Sequence, residues 1–69
     1  MKYRSIYACW VVSELREGKA VYALDRKLKQ VFTVNEMNVD TAIAMINDAE
    51  EHRDRYEFWA EETEENENA

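Results

Sequence analysis

The first part of the chain has the composition of β-strands. Across residues 3–14, β-branched and aromatic side chains predominate, which is typical of a pleated, partly buried surface. Because successive side chains of a strand point to opposite faces, alternation places one set toward the core. We expect the core set to be Ile6, Ala8, Trp10 and Val12. The pattern therefore predicts one long first strand.

Two further strands are predicted after the only glycine. Gly18 lies in the turn segment 15–19, and glycine readily adopts the positive φ that short hairpin loops require. Residues 20–24 and 28–34 again have strand composition, and the polar segment 25–27 separates them. These segments predict a three-stranded antiparallel meander.

Helical spacing replaces the strand pattern after residue 37. Asn38 or Asp40 can cap a helix N-terminus by accepting a hydrogen bond from a free backbone N–H. Apolar residues then recur three and four positions apart at Val39, Ala42, Ile43, Ile46 and Ala49, with Met45 beside them. We predict a C-terminal amphipathic helix packed on one face of the sheet, which makes an α+β fold of two layers.

Two structures are compatible with residues 54–60. Tyr56, Trp59 and Ala60 continue the helical stripe, and the Glu and Arg residues between them favour a continued helix. Tyr56, Phe58 and Ala60 also alternate as a short fourth strand would. The sequence favours the helix and leaves the strand as the alternative.

Charge is distributed unevenly over the 69 residues. The net charge is -6, but residues 1–30 contain seven Lys or Arg and three acidic residues, whereas residues 31–69 contain two Arg and twelve acidic residues. The acidic run 61–69 predicts a disordered tail behind a single domain of residues 1–60. No apolar run is long enough for a membrane span, and Cys9 cannot form an internal disulfide, so we expect a cytoplasmic protein.

The residue types present argue against an enzyme. The only histidine, His52, lies among charged residues that predict a solvent-facing position, and Cys9 lies inside the predicted first strand as a small buried side chain. Asp48, Glu51 and Asp54 recur every third residue, but they lack the loop and backbone carbonyls that enclose calcium. We expect no catalytic residue, no metal site and no cofactor.

The acidic back half suggests a protein-binding surface. Carboxylates on a helix and tail can present negative charge as nucleic-acid phosphates do, and so can fit the basic groove of a nucleic-acid-handling protein. The candidate partner-binding residues are Asp48, Glu51, Asp54, Glu57, Glu61 and Glu62. In size and charge, such a module is similar to small acidic accessory or inhibitory proteins of bacteria and phage, which is an analogy and not a family assignment.

The basic front half suggests an alternative function. Aromatic and basic side chains on a sheet can stack with and neutralise single-stranded nucleic acid, although the acidic chain makes this hypothesis the weaker one. The candidate residues are Arg4, Tyr7, Tyr22, Arg26, Lys27 and Lys29. A homodimer is a further expectation, since so small a domain gains stability by covering its exposed sheet.

Overall fold

Four strands and two helices make up the part of the chain that the computed structural model describes, residues 2–62. The strands are β1 (Tyr3–Ile6), β2 (Val21–Asp25), β3 (Gln30–Thr33) and β4 (Tyr56–Glu61), and the helices are α1 (Val11–Arg16) and α2 (Val39–Glu51). The strands form one sheet of order β1-β4-β2-β3, in which all neighbours are antiparallel. The predicted α+β class is therefore confirmed, whereas the three-stranded meander with a single C-terminal helix is wrong.

β4 occupies the middle of the sheet, and the continued helix that we favoured over 54–60 is wrong. α2 ends at Glu51, and the chain then turns and returns as the fourth strand that was the alternative. Phe58 pairs with Ile6 of β1 on one side and with Ala23 of β2 on the other. Because a central strand is paired on both edges, its alternation of buried and outward residues outweighs the helix propensity of its glutamates.

The long first strand is also wrong, because the chain leaves the sheet after Ile6. A short 3-10 turn at Ala8–Trp10 leads directly into α1. Helical spacing then buries Val11 completely and Glu14 almost completely. Trp10 and Val12, which we expected in the core, are instead 48% and 43% exposed. Cys9, expected to be buried, is exposed on the turn.

Gly18 terminates α1 in the left-handed conformation, with φ of 79°. Its N–H donates to the Leu15 carbonyl at 3.0 Å, and the Lys19 N–H donates to the Glu14 carbonyl at 3.2 Å. These bonds satisfy carbonyls that the helix end would otherwise leave free. A turn with positive φ occurs where the glycine predicted it, but it joins a helix to β2 rather than two strands.

α2 begins as predicted, and Asn38 is its cap. The Asn38 side-chain oxygen accepts a hydrogen bond from the Asp40 N–H at 2.9 Å. The buried positions of the helix are Ala42, Met45, Ile46 and Ala49. Val39 and Ile43 of the predicted stripe remain exposed, because the stripe that contacts the sheet is narrower than the sequence pattern.

The core lies between the two helices and one face of the sheet. Its buried apolar members are Ile6, Val11, Val21, Ala23, Val34, Ala42, Met45, Ile46, Ala49, Phe58 and Ala60. The small side chains of the four alanines allow the backbone of α2 to approach the sheet closely. Phe58 is the only aromatic residue of this buried set, so the remaining aromatic side chains lie nearer the surface.

The conformation of Gly18 yields a stability prediction. A Cβ at this position would meet no atom within 4 Å, so a substitution there costs only backbone conformational energy. We expect Gly18→Ala to lower the free energy of unfolding by about 1–2 kcal/mol, the cost of a left-handed L-residue. Gly18→Asn should cost clearly less, because asparagine tolerates this conformation. Urea denaturation of both variants measures the difference, and equal losses would contradict the explanation.

Candidate functional site

The sheet has one face that neither α1 nor α2 covers, because both helices pack against its other side. Alternation along the paired strands directs every second side chain to this uncovered side. Its residues are Tyr3 and Ser5 of β1, Glu57, Trp59 and Glu61 of β4, Tyr22 and Leu24 of β2, and Val31 and Thr33 of β3. We call this set the open face.

Aromatic rings occupy the centre of the open face. Trp59 and Tyr22 stand directly opposite each other on the two central strands. The Tyr3 ring approaches the Tyr22 ring edge-on, with 5.4 Å between the ring centroids. A hydrogen bond with Tyr22 and, to a smaller extent, burial raise the pKa of Tyr3 above its ordinary value. The Tyr3 and Tyr22 rings therefore hold each other in place, and paired backbone positions Trp59 beside them.

The apolar character of the open face extends from these rings to the β3 edge. Tyr3 is 40% exposed and Trp59 is 37% exposed, while Val31 at the edge is 65% exposed. Leu24 lies between them and is half-buried. Contiguous exposure of this kind on a small domain is typical of a surface that contacts another molecule.

Two carboxylates belong to the open face, and they differ in their surroundings. The Arg26 guanidinium donates to Glu57 Oε2 at 2.8 Å, so an ion pair balances the charge of Glu57. The Glu61 carboxylate accepts a hydrogen bond from the Ala20 N–H at 3.2 Å and lies in no ion pair within residues 2–62. Among the described residues, Glu61 therefore has no ion-pair partner for the negative charge that it places beside the aromatic rings.

The predicted acidic surface is divided in the structure, because its helical spacing ends with α2. Asp48 turns toward β4, whereas Glu51 and Asp54 are exposed near the end of the helix. Glu57 and Glu61 lie on β4 and face the open side of the sheet, and Glu62 follows them. β4 thus includes one residue of the predicted tail, and residues 63–69 of that tail lie outside the described residues.

The predicted nucleic-acid residues are also dispersed. Arg4 lies on the core side of β1, where it donates to Glu14 at 3.2 Å and stacks over Trp10, and Arg26 is paired with Glu57. Tyr7 is exposed beside Trp10, whereas Tyr22 is on the open face. Lys27 and Lys29 lie in the turn between β2 and β3. Only Tyr22 of these six belongs to the open face.

A buried ion pair aligns the strands that carry the open face, and sequence reasoning missed it. Arg55 donates to both oxygens of Asp25, at 3.2 Å from Nε and 2.9 Å from Nη2, and Asp25 is only 2% exposed. Arg55 Nη1 also donates to Asp48 Oδ2 at 3.1 Å, and the Tyr56 hydroxyl donates to the same oxygen at 3.1 Å. We call Asp25, Asp48, Arg55 and Tyr56 the clamp.

Each member of the clamp fixes a different part of the chain. Asp25 Oδ1 accepts hydrogen bonds from the Lys27 and Leu28 N–H groups, which closes the turn between β2 and β3. The hydrogen bonds from Arg55 and from these two amides hold the pKa of Asp25 below its ordinary value. Burial and the hydrogen bond with Asp48 raise the pKa of Tyr56. No local pattern reveals a pair 30 residues apart, so only the folded chain identifies it.

A second buried carboxylate has a supporting role in the helical layer. Glu14 is 4% exposed and receives one hydrogen bond from Arg4. Its other oxygen, Oε1, accepts no hydrogen bond within residues 2–62, and Lys19 Nζ lies 3.5 Å from it as an ion-pair partner. These contacts tie α1 to β1 and to the start of β2.

Residues 2–62 contain neither a cluster of metal-binding side chains nor a helix that could span a membrane. No group of three or more His, Cys, Asp or Glu side chains in this range is placed to hold a metal ion. None of its helices is both long and apolar enough to cross a membrane. His52 is exposed after α2, and its Nε2 lies 3.8 Å from Asp48 Oδ1.

The clamp predicts how stability depends on pH. Because the pKa of Asp25 is lower in the folded than in the unfolded state, its contribution is present above the unfolded value of about 4. That contribution is lost as the pH falls through the lower folded value. We expect Asp25→Asn to reduce the urea midpoint strongly at pH 7 and to flatten the decline of the midpoint below pH ~4.

Asp54→Asn is the matched control for this prediction, since it removes the same charge from an exposed side chain. It should leave both the midpoint at neutral pH and the acid decline close to those of the unchanged protein. Equal behaviour of the two variants would contradict the assigned importance of the clamp.

Comparisons with known proteins assign no family to the chain. A scan against protein-family models, a search of the curated proteins and a search of the solved structures all gave no match. The function is therefore inferred from the geometry of the open face and the clamp alone.

Proposed function

We propose that this chain is a non-catalytic protein-binding module that contacts its partner through the open face. One observation carries the proposal: Tyr3, Tyr22 and Trp59 come together on the sheet face that α1 and α2 leave uncovered, and Tyr3 and Trp59 are 40% and 37% exposed there. An aromatic side chain left at the surface of so small a domain contributes little to folding. It is well suited to binding, because Trp and Tyr supply large contact areas at low entropic cost.

The position of the rings supports binding by a rigid surface. Trp59 and Tyr22 stand on the two central strands, and these strands are hydrogen-bonded on both edges. A partner therefore does not have to order the backbone that presents these rings. Preorganised anchors of this kind increase affinity because they reduce the entropy lost on association.

Charge favours a partner with basic side chains. Glu61 adds a carboxylate beside Trp59 that forms no ion pair within residues 2–62, and Glu62 follows it along the chain. A Lys or Arg side chain of the partner that approaches Glu61 and Trp59 can pair with the carboxylate and lie over the aromatic ring. We therefore retain the hypothesis of an accessory or inhibitory protein acting on a basic, nucleic-acid-handling partner in the cytoplasm, with the open face replacing the helix as the main contact.

The alternative of direct nucleic-acid binding receives less support from the same geometry. Phosphates approaching the open face would meet Glu57 and Glu61, and Arg26 is already paired with Glu57. The basic turn with Lys27 and Lys29 remains available for phosphates. Of the two predicted aromatic residues, however, only Tyr22 lies in the sheet that this turn belongs to.

The test compares two tryptophans of similar exposure on different surfaces. Trp59→Glu should abolish capture of specific partners from a host lysate, because it places a charge at the centre of the open face. Trp10→Glu, on the helical side, should preserve that capture. We expect the unchanged protein and the Trp10 variant to retain the same partner and the Trp59 variant to lose it. High salt should weaken the binding of that partner.

Two other outcomes would overturn the proposal or change it. Partners retained equally by both variants, when both remain folded by circular dichroism, would exclude the open face. Sedimentation equilibrium of the pure protein distinguishes a second copy as the partner: a dimer that Trp59→Glu dissociates and Trp10→Glu does not would assign the open face to self-association.

A further inference from the structure

A pocket of about 540 Å³ opens at the edge of the sheet where β1 ends. Ile6, Ala49 and Phe58 are buried core residues that contribute its apolar wall. Cys9, Glu50 and Arg53 also line it. The volume falls within the range of sites that bind small molecules or short peptide segments.

One stretch of backbone in this pocket lacks a strand partner. The last residue pair between β1 and β4 is Ile6 with Phe58, but β4 begins two residues earlier, at Tyr56. After Tyr7, the chain turns into the 3-10 segment instead of continuing beside β4. The edge of β4 next to Tyr56 is therefore uncovered by β1.

Hydrogen-bond alternation shows which way the Tyr56 backbone points. In an antiparallel strand, successive residues bond to opposite neighbours. The Glu61 N–H donates to the Ala20 carbonyl, and the Arg55 carbonyl accepts a hydrogen bond from the Arg26 N–H. The odd-numbered residues of β4 therefore form their backbone hydrogen bonds with β2. The Glu62 N–H donates to the Lys2 carbonyl on the other side, so even-numbered residues bond toward β1. The N–H and C=O of Tyr56 therefore face the pocket.

The charges of the pocket balance. Arg26 and Glu57 neutralise each other in an ion pair of 2.8 Å. Glu50 and Arg53, which carry opposite charges, form no ion pair within the described residues. Because the pocket has no net charge, it does not select an ion. The groups that can recognise a ligand are the backbone N–H and C=O of Tyr56 beside the apolar wall.

We propose that this pocket binds an extended peptide segment, which adds to the sheet at Tyr56 and places an apolar side chain against Ile6, Ala49 and Phe58. Strand addition at an uncovered edge is a common mode of peptide recognition, in which backbone bonds give affinity and pockets give side-chain specificity. Ser5 and Glu57 of the open face also line the pocket, but Trp59 and Tyr22 do not, so a substitution at Trp59 tests the open face without altering the pocket wall.

Cys9 provides a direct test, because it is the only cysteine and it lines the pocket. The probe is a capped peptide in which a cysteine, joined to cysteamine by a disulfide bond, is followed by a glycine spacer and the extended segment Val-Thr-Val. The Cys9 thiolate attacks the probe disulfide, forms a mixed disulfide with the peptide and releases cysteamine thiolate. Mass spectrometry of the intact protein measures the fraction of adduct at a fixed concentration of free thiol.

The matched probe has the same sequence with its valine amides N-methylated, which removes the backbone donors. We expect the parent probe to give about 5-fold more adduct at equilibrium, the effect of one net backbone hydrogen bond. In urea, the two probes should react equally. Hydrogen exchange of the parent adduct should show new protection of the Tyr56 amide.

Three results would overturn the proposal. Equal adduct from both probes on the folded protein would exclude backbone pairing, and no adduct from either would exclude an accessible pocket. Loss of the preference in Trp59→Ala would place the peptide on the open face instead. Cys9→Ser is the control for adduct formation at the intended thiol.

Discussion

The ion pair between Asp25 and Arg55 is the constraint on which the rest of the structure depends. It joins the end of β2 to the residue that precedes β4, and Asp48 extends it to the last turn of α2. A buried carboxylate without a cation would be costly, so the fold requires that these segments meet. Their meeting sets the register of β4 against β2, and the alternation along β4 then decides which residues are buried.

Arg55 also relieves an unfavourable distribution of charge in α2, through its second ion pair, with Asp48. The last turns of the helix contain Asp48, Glu50 and Glu51 and no basic residue. Carboxylates at a helix C-terminus oppose the helix dipole. Arg55, which arrives after the chain has reversed, places its guanidinium beside Asp48 and supplies the positive charge that the helix itself lacks.

The small size of the core explains why large aromatic side chains are so prominent at the surface. Four of its eleven apolar members are alanines, which allow close packing but fill little space. The larger aromatic side chains are therefore distributed over the open face and the helical side. A domain of this size gives up stability by leaving them exposed.

The sequence predicted the elements whose signals are local. Asn38 and the apolar spacing after it identified α2, Gly18 identified a turn, and the strand composition of residues 20–24 identified β2. Residues 8–16 were misassigned because β-branched side chains concealed the four-residue spacing of Val11 and Leu15.

The error at β4 has a non-local cause. Tyr56, Phe58 and Ala60 carry the alternation of a strand, but only their insertion between β1 and β2 decides in its favour. The proposed acidic helix face disappeared with that insertion. The open face was unpredictable for the same reason, because Tyr3, Tyr22 and Trp59 come together only through the sheet order.

The central position of β4 also determines when the protein can assemble during synthesis. β1 has no strand neighbour other than β4 in the described sheet, and β2 has only β3 until β4 arrives. A nascent chain that has emerged through α2 can therefore form the β2–β3 hairpin and the helices but not the sheet. The growing polypeptide therefore leaves its first strand unpaired until residues 56–61 have left the ribosome.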